Sequence, residues 1–562
     1  MLNGISVKGR ILQKEEEYSN IEIKSLVDKI AAYIVDNGLV EKDDEIFVIA
    51  LQRDIYLIST MLACLELEMT FMIIDVNTPV ERLKYMIEYS KANKCFCMNE
   101  DMAKKLGLCA ISIENVLRYE INQKNVNKRY NSKIAYVLWT SGTSGKPKAV
   151  CVKREGLFNF IEVIPKELGI REGAVIGCFT NATFDIFFLE TLMAVHAGLD
   201  IVMADEIEIL NPRSLKEIIM DYGITVLQMT PSKMRLLETV DDKFECLKSV
   251  EKILIGGEEF PRDLLKKLQK YTKADIYNLY GPTEATIWAT TSNLTNKKII
   301  DLGHPIENVE IYLFKDGKMV RENEQGEICI GGIGLAEGYL YNEEQTQSAF
   351  QYVSQLDRVV YRTGDLGKYD ENENLIYLGR MDTQVKYHGY RIELQDIEEN
   401  IRGIAGVLDA VVCYDKQNNQ MIAFYKSVSE FEEEYIRENS RKKLPAYMCP
   451  SKFVRKNTFI YTASGKIDRN KMLTDYIREI KRNGETAGGE FVDIIQKYSK
   501  CRGVELNMQV SDLGIDSMSY IAMLVELEEQ YGIEFEDEML VEDSFDKISD
   551  MHNFIYKKTK NM

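Results

Sequence analysis

Positive charge is what this 562-residue chain is short of: 70 lysines and arginines stand against 89 aspartates and glutamates, a formal net charge of −19. That deficit argues against a nucleic-acid or anionic-membrane partner, because both are held through lysine and arginine patches. A membrane-spanning run is also missing. The apolar region from Ile46 to Ile74 is broken by Gln52, Arg53, Asp54, Glu66 and Glu68, whereas a span needs about 20 mostly apolar residues. The stretch Met1 to Asn20 has no apolar centre and carries Glu15-Glu16-Glu17, unlike a secretory leader. The 11 cysteines are scattered. Their one close pair, Cys95 and Cys97, lacks a second pair at zinc-ligand spacing and reads as strand packing. Dispersed cysteines without a leader fit a reducing compartment, so a cytoplasmic location is expected. No internal repeat or low-complexity tract is present.

What is present is the balance of a globular protein, 45% hydrophobic and 28% charged, with enough chain for a large core. At roughly 100–200 residues per domain the length suggests about three or four domains or subdomains. The acid is unevenly placed. Glu490 to Met562 holds 16 acidic and 7 basic residues, a net of −9, which marks the tail as a separate object.

Apolar spacing predicts a helix over Ile21–Val35, a strand over Glu45–Leu51, a helix over Ile55–Glu68, a buried strand over Thr70–Asp75 and a helix opened by Pro79. This alternation is the grammar of an α/β layered domain. It resumes through Val175–Phe179, Leu189–Ala197, Asp200–Met203, Leu215–Tyr222 and Val226–Met229. From about Gln384 the elements become those of a small α+β domain, with a charged helix predicted over Val428–Lys442. Lys481–Gly489 has linker composition. The remainder is helical: Phe491–Ser499, a helix with Met518, Ile521, Ala522 and Val525 on one face, and a last helix from Phe545.

Six polar stretches stand out. Trp139-Thr140-Ser141-Gly142-Thr143-Ser144-Gly145-Lys146-Pro147-Lys148 follows a strand-like run. Its glycines, hydroxyls and lysines suit phosphate binding; a mobile polar loop is the alternative. It is not a Walker loop, since Gly145-Lys146 is followed by Pro147. Asn278-Leu279-Tyr280-Gly281-Pro282-Thr283-Glu284 offers a flat ring for a base, an amide for its edge and a carboxylate suited to Mg²⁺; a tight turn with a structural tyrosine is the alternative. Tyr361-Arg362-Thr363-Gly364-Asp365-Leu366 reads as a short polar turn whose carboxylate suits two ribose hydroxyls. Leu378–Lys386, followed by Arg391-Ile392-Glu393, reads as a charged, solvated hairpin, and Thr462–Arg469 as a polar turn holding Lys466. Asp516-Ser517 reads locally as a helix cap.

Taken in order, the threonine/serine loop, Tyr-Gly-Pro-Thr-Glu, Tyr-Arg-Thr-Gly-Asp-Leu, Gly-Arg-x-Asp-x-Gln-Val-Lys, Leu-Pro-x-Tyr-Met-x-Pro and Gly-Lys-x-Asp-Arg resemble the adenylation domain of nonribosomal peptide synthetases, within the adenylate-forming enzymes. Asp512-Leu513-Gly514-Ile515-Asp516-Ser517 resembles a peptidyl carrier domain. The resemblance implies a large α/β adenylation subdomain (1–380), a small α+β subdomain (381–478), a linker (479–489) and an all-α four-helix carrier (490–562). It implies ATP, Mg²⁺ and 4′-phosphopantetheine as cofactors. Thr140, Ser141, Gly142, Thr143, Ser144, Gly145 and Lys148 would close over the phosphates, with Thr143 among the catalytic set. Tyr280 would stack on adenine beside Asn278 and Gly257. Thr283 would meet the α-phosphate, Glu284 would hold Mg²⁺, Asp365 would grip the ribose, and Tyr377, Arg380 and Lys386 would line the nucleotide. Lys466 would bridge the substrate carboxylate and α-phosphate, Asp382 would be the hinge, and Ser517 would carry the arm.

Within the same resemblance the amino acid is read by Asp185, Ile186, Leu189, Gln228, Leu254, Gly256, Leu279, Ile287 and Trp288. A buried carboxylate at Asp185 calls for a cation, which favours an α-amino acid. The bulk of Leu189, Leu279 and Trp288 points to glycine, with alanine second. Implied partners are a phosphopantetheinyl transferase, a separate condensation or acceptor enzyme, and a small activator protein. The chain departs from the family pattern at Ala149, Phe187 and Ile73-Ile74-Asp75, and neither a condensation nor a thioesterase region is recognisable. An acyl-CoA ligase releasing a soluble thioester and a non-catalytic scaffold are the other readings.

Overall fold

The computed structural model describes residues 5–40, 45–98, 100–121, 129–142, 146–320, 324–387, 389–416, 419–429, 431–461, 467–482, 490–499, 503–515, 517–531, 533, 535–536, 539 and 544–560. Two large, mostly parallel sheets form its body. The first has seven strands, ordered Gly338–Tyr339, Lys148–Lys153, Ile134–Thr140, Thr70–Ile73, Ile46–Ala50, Lys94–Cys97, Cys109–Ser112. The second has nine, and at its centre Asp275–Tyr280, Lys252–Gly256, Val226–Met229 and Val175–Cys178 run parallel. Parallel strands covered by helices on their faces carry near-continuous apolar runs, and Ile46–Ala50, Thr70–Ile73 and Val226–Met229 are buried at every position.

The sheets meet through one aromatic core. Phe188 packs edge-on to Phe71 at 5.9 Å and lies 4.5 Å from Tyr136. The expected helix near Leu189 is a π-helical turn, Leu189–Met193, flanked by Ile186–Phe188 and Ala194–Ala197. Such turns are rare and favour functional sites. The first helix runs Asn20–Asp36 and starts in a capping box in which Ser19 and Glu22 bond each other's backbone N–H.

A third, antiparallel sheet contains Gly326–Gly332, Arg358–Tyr369 and Leu375–Arg380. Tyr361–Leu366, expected as a turn, lies within a 12-residue strand. The small subdomain follows as the hairpin Gln384–Tyr387 with Tyr390–Glu393, then a three-stranded sheet (Val407–Asp415, Gln420–Ser427, Lys452–Arg455) packed on Leu394–Arg402. Its charged helix is Glu433–Arg441, shorter than expected because the preceding strand runs to Ser427 and the Val428 N–H donates to the Gly406 carbonyl. Leu444–Pro450 contains a single 3-10 turn, Ala446–Met448.

In the tail, Glu490–Tyr498, Ser517–Tyr531 and Ile548–Lys560 are helices and Val510–Leu513 is a 3-10 turn. They enclose a core that includes Tyr520, Leu524 and Ile548. Three of the four expected helices are thus among the described residues. No helix among them is long and apolar enough to cross a membrane.

Candidate active site

Ligands of open α/β sheets bind beyond the carboxyl ends of the strands, and the expected site residues gather there. The loop after Val175–Cys178 leads to Asp185, the loop after Asp275–Tyr280 contains Thr283 and Glu284, and the loop after Ile134–Thr140 begins with Ser141.

Asp185 is buried, and burial pushes its carboxyl up to about 6 despite a hydrogen bond from Thr283. A buried ionic cluster holds the loop that carries it. Glu190 accepts from the amides of Phe179 and Thr180 (3.0 and 2.8 Å) and from the Thr180 hydroxyl (2.7 Å). Lys233 donates to the Phe179 carbonyl at 2.5 Å, and burial lowers its amine to about 8. The Arg53 guanidinium donates to the carbonyls of Cys178, Thr180 and Ala204 and sits 5.3 Å from the centre of the Phe187 ring.

Next to Asp185 the apolar set is fully enclosed. Leu189, Leu254, Leu279, Ile287 and Trp288 are at most 2% exposed, and Ile186 is buried beside them. The Gln228 side-chain oxygen lies 3.1 Å from the Thr180 hydroxyl. Gly256 has a steric reason. A Cβ there would lie 2.6 Å from Trp288 Cη2 and 2.9 Å from Cζ2. Trp288 is turned inward by Thr286 and Ile287, both at positive φ (59° and 70°). An isoleucine in that region is strained, and such strain concentrates at functional sites; here the Thr286 hydroxyl fixes it by donating to the Gly334 carbonyl at 2.6 Å.

The expected nucleotide residues form one chain of contacts. The Tyr280 hydroxyl donates to Asp365 (2.6 Å), Arg380 donates to the other Asp365 oxygen (2.6 Å), and Arg380 also grips Asp382 through two nitrogens (2.7 and 2.6 Å). The Lys386 ammonium lies 5.3 Å from the Tyr280 ring centre, and burial lowers its amine against the pull of Asp365. Burial raises the Tyr377 phenol in the same neighbourhood, with Asp365 adding to it. Asn278 donates to the Asp301 carbonyl (2.8 Å), and Gly257 adopts φ 83° at the end of its strand.

The phosphate loop meets the small subdomain. Ser141 donates to the Arg391 carbonyl (2.7 Å) and accepts from the Glu393 amide (2.9 Å). Gly142 is required because a Cβ would fall 1.9 Å from the Lys146 carbonyl oxygen. Glu284 accepts from the Tyr339 hydroxyl (2.8 Å) and from Arg391 (2.7 Å). Burial alone would raise the Glu284 carboxyl; Arg391 and Lys148 outweigh it and hold it below the ordinary range. Lys148 lies 3.9 Å from Glu393. Tyr390 packs edge-on to Phe184 at 4.6 Å and stacks on Tyr447 at 3.6 Å, so the hairpin is buried in the site rather than solvated.

The tail rests on both subdomains. Arg213 pairs with Glu528 (2.6 Å), Leu236 joins the tail's apolar core, and Lys452 donates to the Asp512 carbonyl (2.7 Å). Gly514, at φ 61°, allows this approach: a Cβ would meet Lys452 Cε at 3.0 Å. Ser517 opens the helix Ser517–Tyr531. Thr143, Ser144, Gly145 and Lys466 lie outside the described residues. Asp185, Thr283, Glu284, Lys148 and Ser141 are brought together through their contacts with one another, Arg391 and Glu393, and Tyr280, Asp365, Arg380, Asp382 and Lys386 through the contact chain beside them. Arg391, Glu393, Tyr339 and Tyr390 were not expected there; Arg391-Ile392-Glu393 stood out only as charge.

Residues 7–340 match the AMP-binding enzyme family, and residues 490–554 match the phosphopantetheine attachment site. Bacitracin synthase 2 of Bacillus licheniformis is 28% identical over 570 residues, which covers 98% of this chain and 21% of the synthase; the chain thus spans about a fifth of that relative. A D-alanine–D-alanyl carrier protein ligase of Bacillus licheniformis is 30% identical over 483 residues, covering 82% of this chain and 95% of the ligase. Among solved structures, the holo form of a nonribosomal peptide synthetase protein with adenylation and carrier domains, bound to a vinylsulfonamide inhibitor, superposes with a TM-score of 0.82. It is 20% identical and covers 98% of this chain and 94% of that one.

Proposed function

Because the chain belongs to the AMP-binding enzyme family and carries a phosphopantetheine attachment domain behind it, we propose that it activates glycine as glycyl-adenylate and loads it onto its own carrier at Ser517. As an adenylate-forming ligase of the nonribosomal peptide synthetase type, it runs two steps at one cleft. A carboxylate oxygen attacks the α-phosphorus of ATP and pyrophosphate leaves. The pantetheine thiol then attacks the acyl carbon, a thioester forms and AMP leaves.

The observation that carries glycine is the packing of Trp288 over Gly256. The indole already takes the space that a single methyl on Gly256 would need. Asp185, beside these side chains, would pair with the α-ammonium; the enclosed aliphatic neighbours leave no partner for a second charge. Alanine is the second reading, and the similarity to a ligase named for D-alanine favours it.

The phosphate loop Thr140–Gly145 with Lys148 would hold the leaving phosphates, Tyr280 and Asn278 the base, Asp365 the ribose, and Tyr377, Arg380 and Lys386 the nucleotide edge. Thr283 would face the α-phosphate. Lys466 would align the two anions of the first step, where their repulsion is the main obstacle. Glu284 would hold Mg²⁺: it is a buried carboxylate that already binds a cation through one oxygen. Among the described residues no cluster of three or more metal-ligating side chains exists, which suits an ion that keeps waters and substrate phosphates as its other ligands. When bound, Mg²⁺ neutralises phosphate charge. Asp382 would be the hinge between the subdomains, divided near residue 380.

The test is the intact mass of the chain after phosphopantetheinylation and incubation with ATP and mixed amino acids. A glycyl increment at Ser517 is expected, together with glycine-dependent ATP–pyrophosphate exchange. Exchange with no small amino acid would sink the assignment.

A further inference from the structure

We propose that Glu190 is a positioning residue for the amino acid: acting through the Thr180 hydroxyl, it fixes the Gln228 amide so that the carbonyl oxygen, and not the NH₂, faces the substrate α-ammonium. The proposal rests on the reading given above, in which an amino acid sits beside Asp185.

Gln228 stands on the wall of that site. It pairs in register with Leu254 of the neighbouring strand, and residues paired in register share a face of the sheet. Leu254 belongs to the core of Ile186, Leu189 and Trp288, whereas Leu227 and Met229, on either side of Gln228, belong to the core on the opposite face. Gln228 is 1% exposed. One end of its amide meets Thr180, on the loop that leads to Asp185, and the other end is buried with no partner among the described residues.

A proton count decides which end is which. The Thr180 hydroxyl has one hydrogen to give. Two oxygens lie within its reach, Glu190 Oε1 at 2.7 Å and Gln228 Oε1 at 3.1 Å. The carboxylate is nearer, and a charged acceptor makes the stronger bond. Glu190 is fixed in place by its other oxygen, which accepts from the Phe179 and Thr180 amides. Burial raises its carboxyl, and Thr180, Arg53 and Lys233 oppose the rise. With its hydrogen given to Glu190, the Thr180 oxygen can only accept from Gln228. The oxygen and nitrogen of an amide are told apart by their hydrogen bonds. Here those bonds turn the amide half a circle: its NH₂ donates to Thr180, and its carbonyl oxygen takes the position without a partner. An ammonium is the group that such an oxygen lacks. The other orientation would put NH₂ there, beside Trp288 Nε1, a second buried donor without a partner, and the pocket would show a cation donors wherever Asp185 does not reach.

The test is ATP–pyrophosphate exchange by the full chain, with KM for glycine, KM for ATP and the maximal rate measured together. In Glu190→Gln the carboxamide keeps its oxygen on the two backbone amides and offers its NH₂ to Thr180. The Thr180 hydrogen then goes to Gln228, whose NH₂ swings toward the substrate. KM for glycine should rise at least about tenfold, with KM for ATP and the maximal rate within about twofold of wild type. Gln228→Met should raise KM for glycine similarly. Glu190→Gln added to it should change KM no further, because the amide through which it acts is gone. Thr180→Ser keeps the hydroxyl and should stay near wild type. Thr180→Val should raise KM for glycine as Glu190→Gln does, and it stands in if removing a negative charge beside Arg53 and Lys233 prevents folding. A general loosening of the loop would lower the maximal rate as well, and its effect would add to that of Gln228→Met. An unchanged KM for glycine in folded Glu190→Gln, or in Thr180→Val where that variant stands in, overturns the proposal, and so does an additive double variant. These outcomes leave the functional assignment intact. A wild type that exchanges with no amino acid overturns the assignment, and this proposal with it.

Discussion

Asp185, proposed to pair with the substrate α-ammonium, shows what such a role costs the fold. Its carboxyl is pushed from 3.8 to about 6 by burial, with Glu284 adding to the effect and Thr283 opposing it. Between these values the folded chain keeps a proton that the unfolded chain gives up, so the residue's contribution to stability falls as pH rises through that window. Above about pH 6 the full penalty is present, on the order of 3 kcal/mol for a shift of this size. Asp185→Asn should therefore stabilise the protein at pH 8 by up to that amount, with the gain fading toward pH 4, while glycine-dependent exchange is lost. Urea unfolding at the two pH values, run beside the exchange assay, checks both halves; a destabilised variant at pH 8 would refute the account. Asp185 was legible in the sequence because a motif surrounds it. Arg391 was not. Its partner Glu284 lies 107 positions away, and nothing local distinguishes a charge that will be buried against another from one that will face water.

At the scale of elements, the segment Tyr361–Leu366 shows why polar strands are misread. Tyr361, Thr363 and Asp365 alternate inward, each at most 3% exposed, while the Arg362 side chain between them is 42% exposed. The period of two was present, but its inward members are a hydroxyl and a carboxylate that the apolar pattern does not count. They are tolerated because Thr363 donates to the Ile328 carbonyl (2.7 Å) and Asp365 receives Tyr280 and Arg380. The strands Ile46–Ala50, Thr70–Ile73, Val175–Cys178, Asp200–Met203 and Val226–Met229, mostly apolar, were legible to within a residue or two. The contact between the helix Pro231–Val240 and the helix Ser517–Tyr531 was not legible at all, since it depends on where the tail settles. Leu236 is the apolar centre of that contact, 4% exposed within the tail's own core. Leu236→Asp should cut thioester formation on Ser517 by at least about tenfold, the equivalent of 1.4 kcal/mol, without lowering the rate of exchange. A parallel fall in exchange would show that the helix supports the cleft instead of seating the carrier.

At the scale of the whole chain, three bodies are joined at points that share one orientation. Arg213 ties the carrier to the large subdomain, Lys452 ties it to the small one, and Arg391 ties the two subdomains to each other across Glu284. The carrier is also the most acidic part of an acidic chain, so basic residues at Arg213 and Lys452 give its seat the right sign. Contacts that require the same arrangement are thermodynamically linked: seating the carrier favours the state in which Arg391 covers Glu284, and by reciprocity covering Glu284 favours the seated carrier. Weakening the seat should then loosen the contact between Arg391 and Glu284, the carboxylate proposed to hold Mg²⁺, at a distance. Lys452→Glu, which places a carboxylate against the carrier, should slow thioester formation and at the same time tighten binding of Mn²⁺ with pyrophosphate. Among the described residues Lys452 is held by Glu433 and the Asp512 carbonyl and not by Glu284 or Lys148, so it has no direct route to Glu284. Combined with Arg391→Met, the substitution should add nothing further to metal affinity, because the competitor it acts through is already gone. An additive gain in the double variant would mean that carrier seating and the Arg391 contact are independent, and that the three bodies move without coupling.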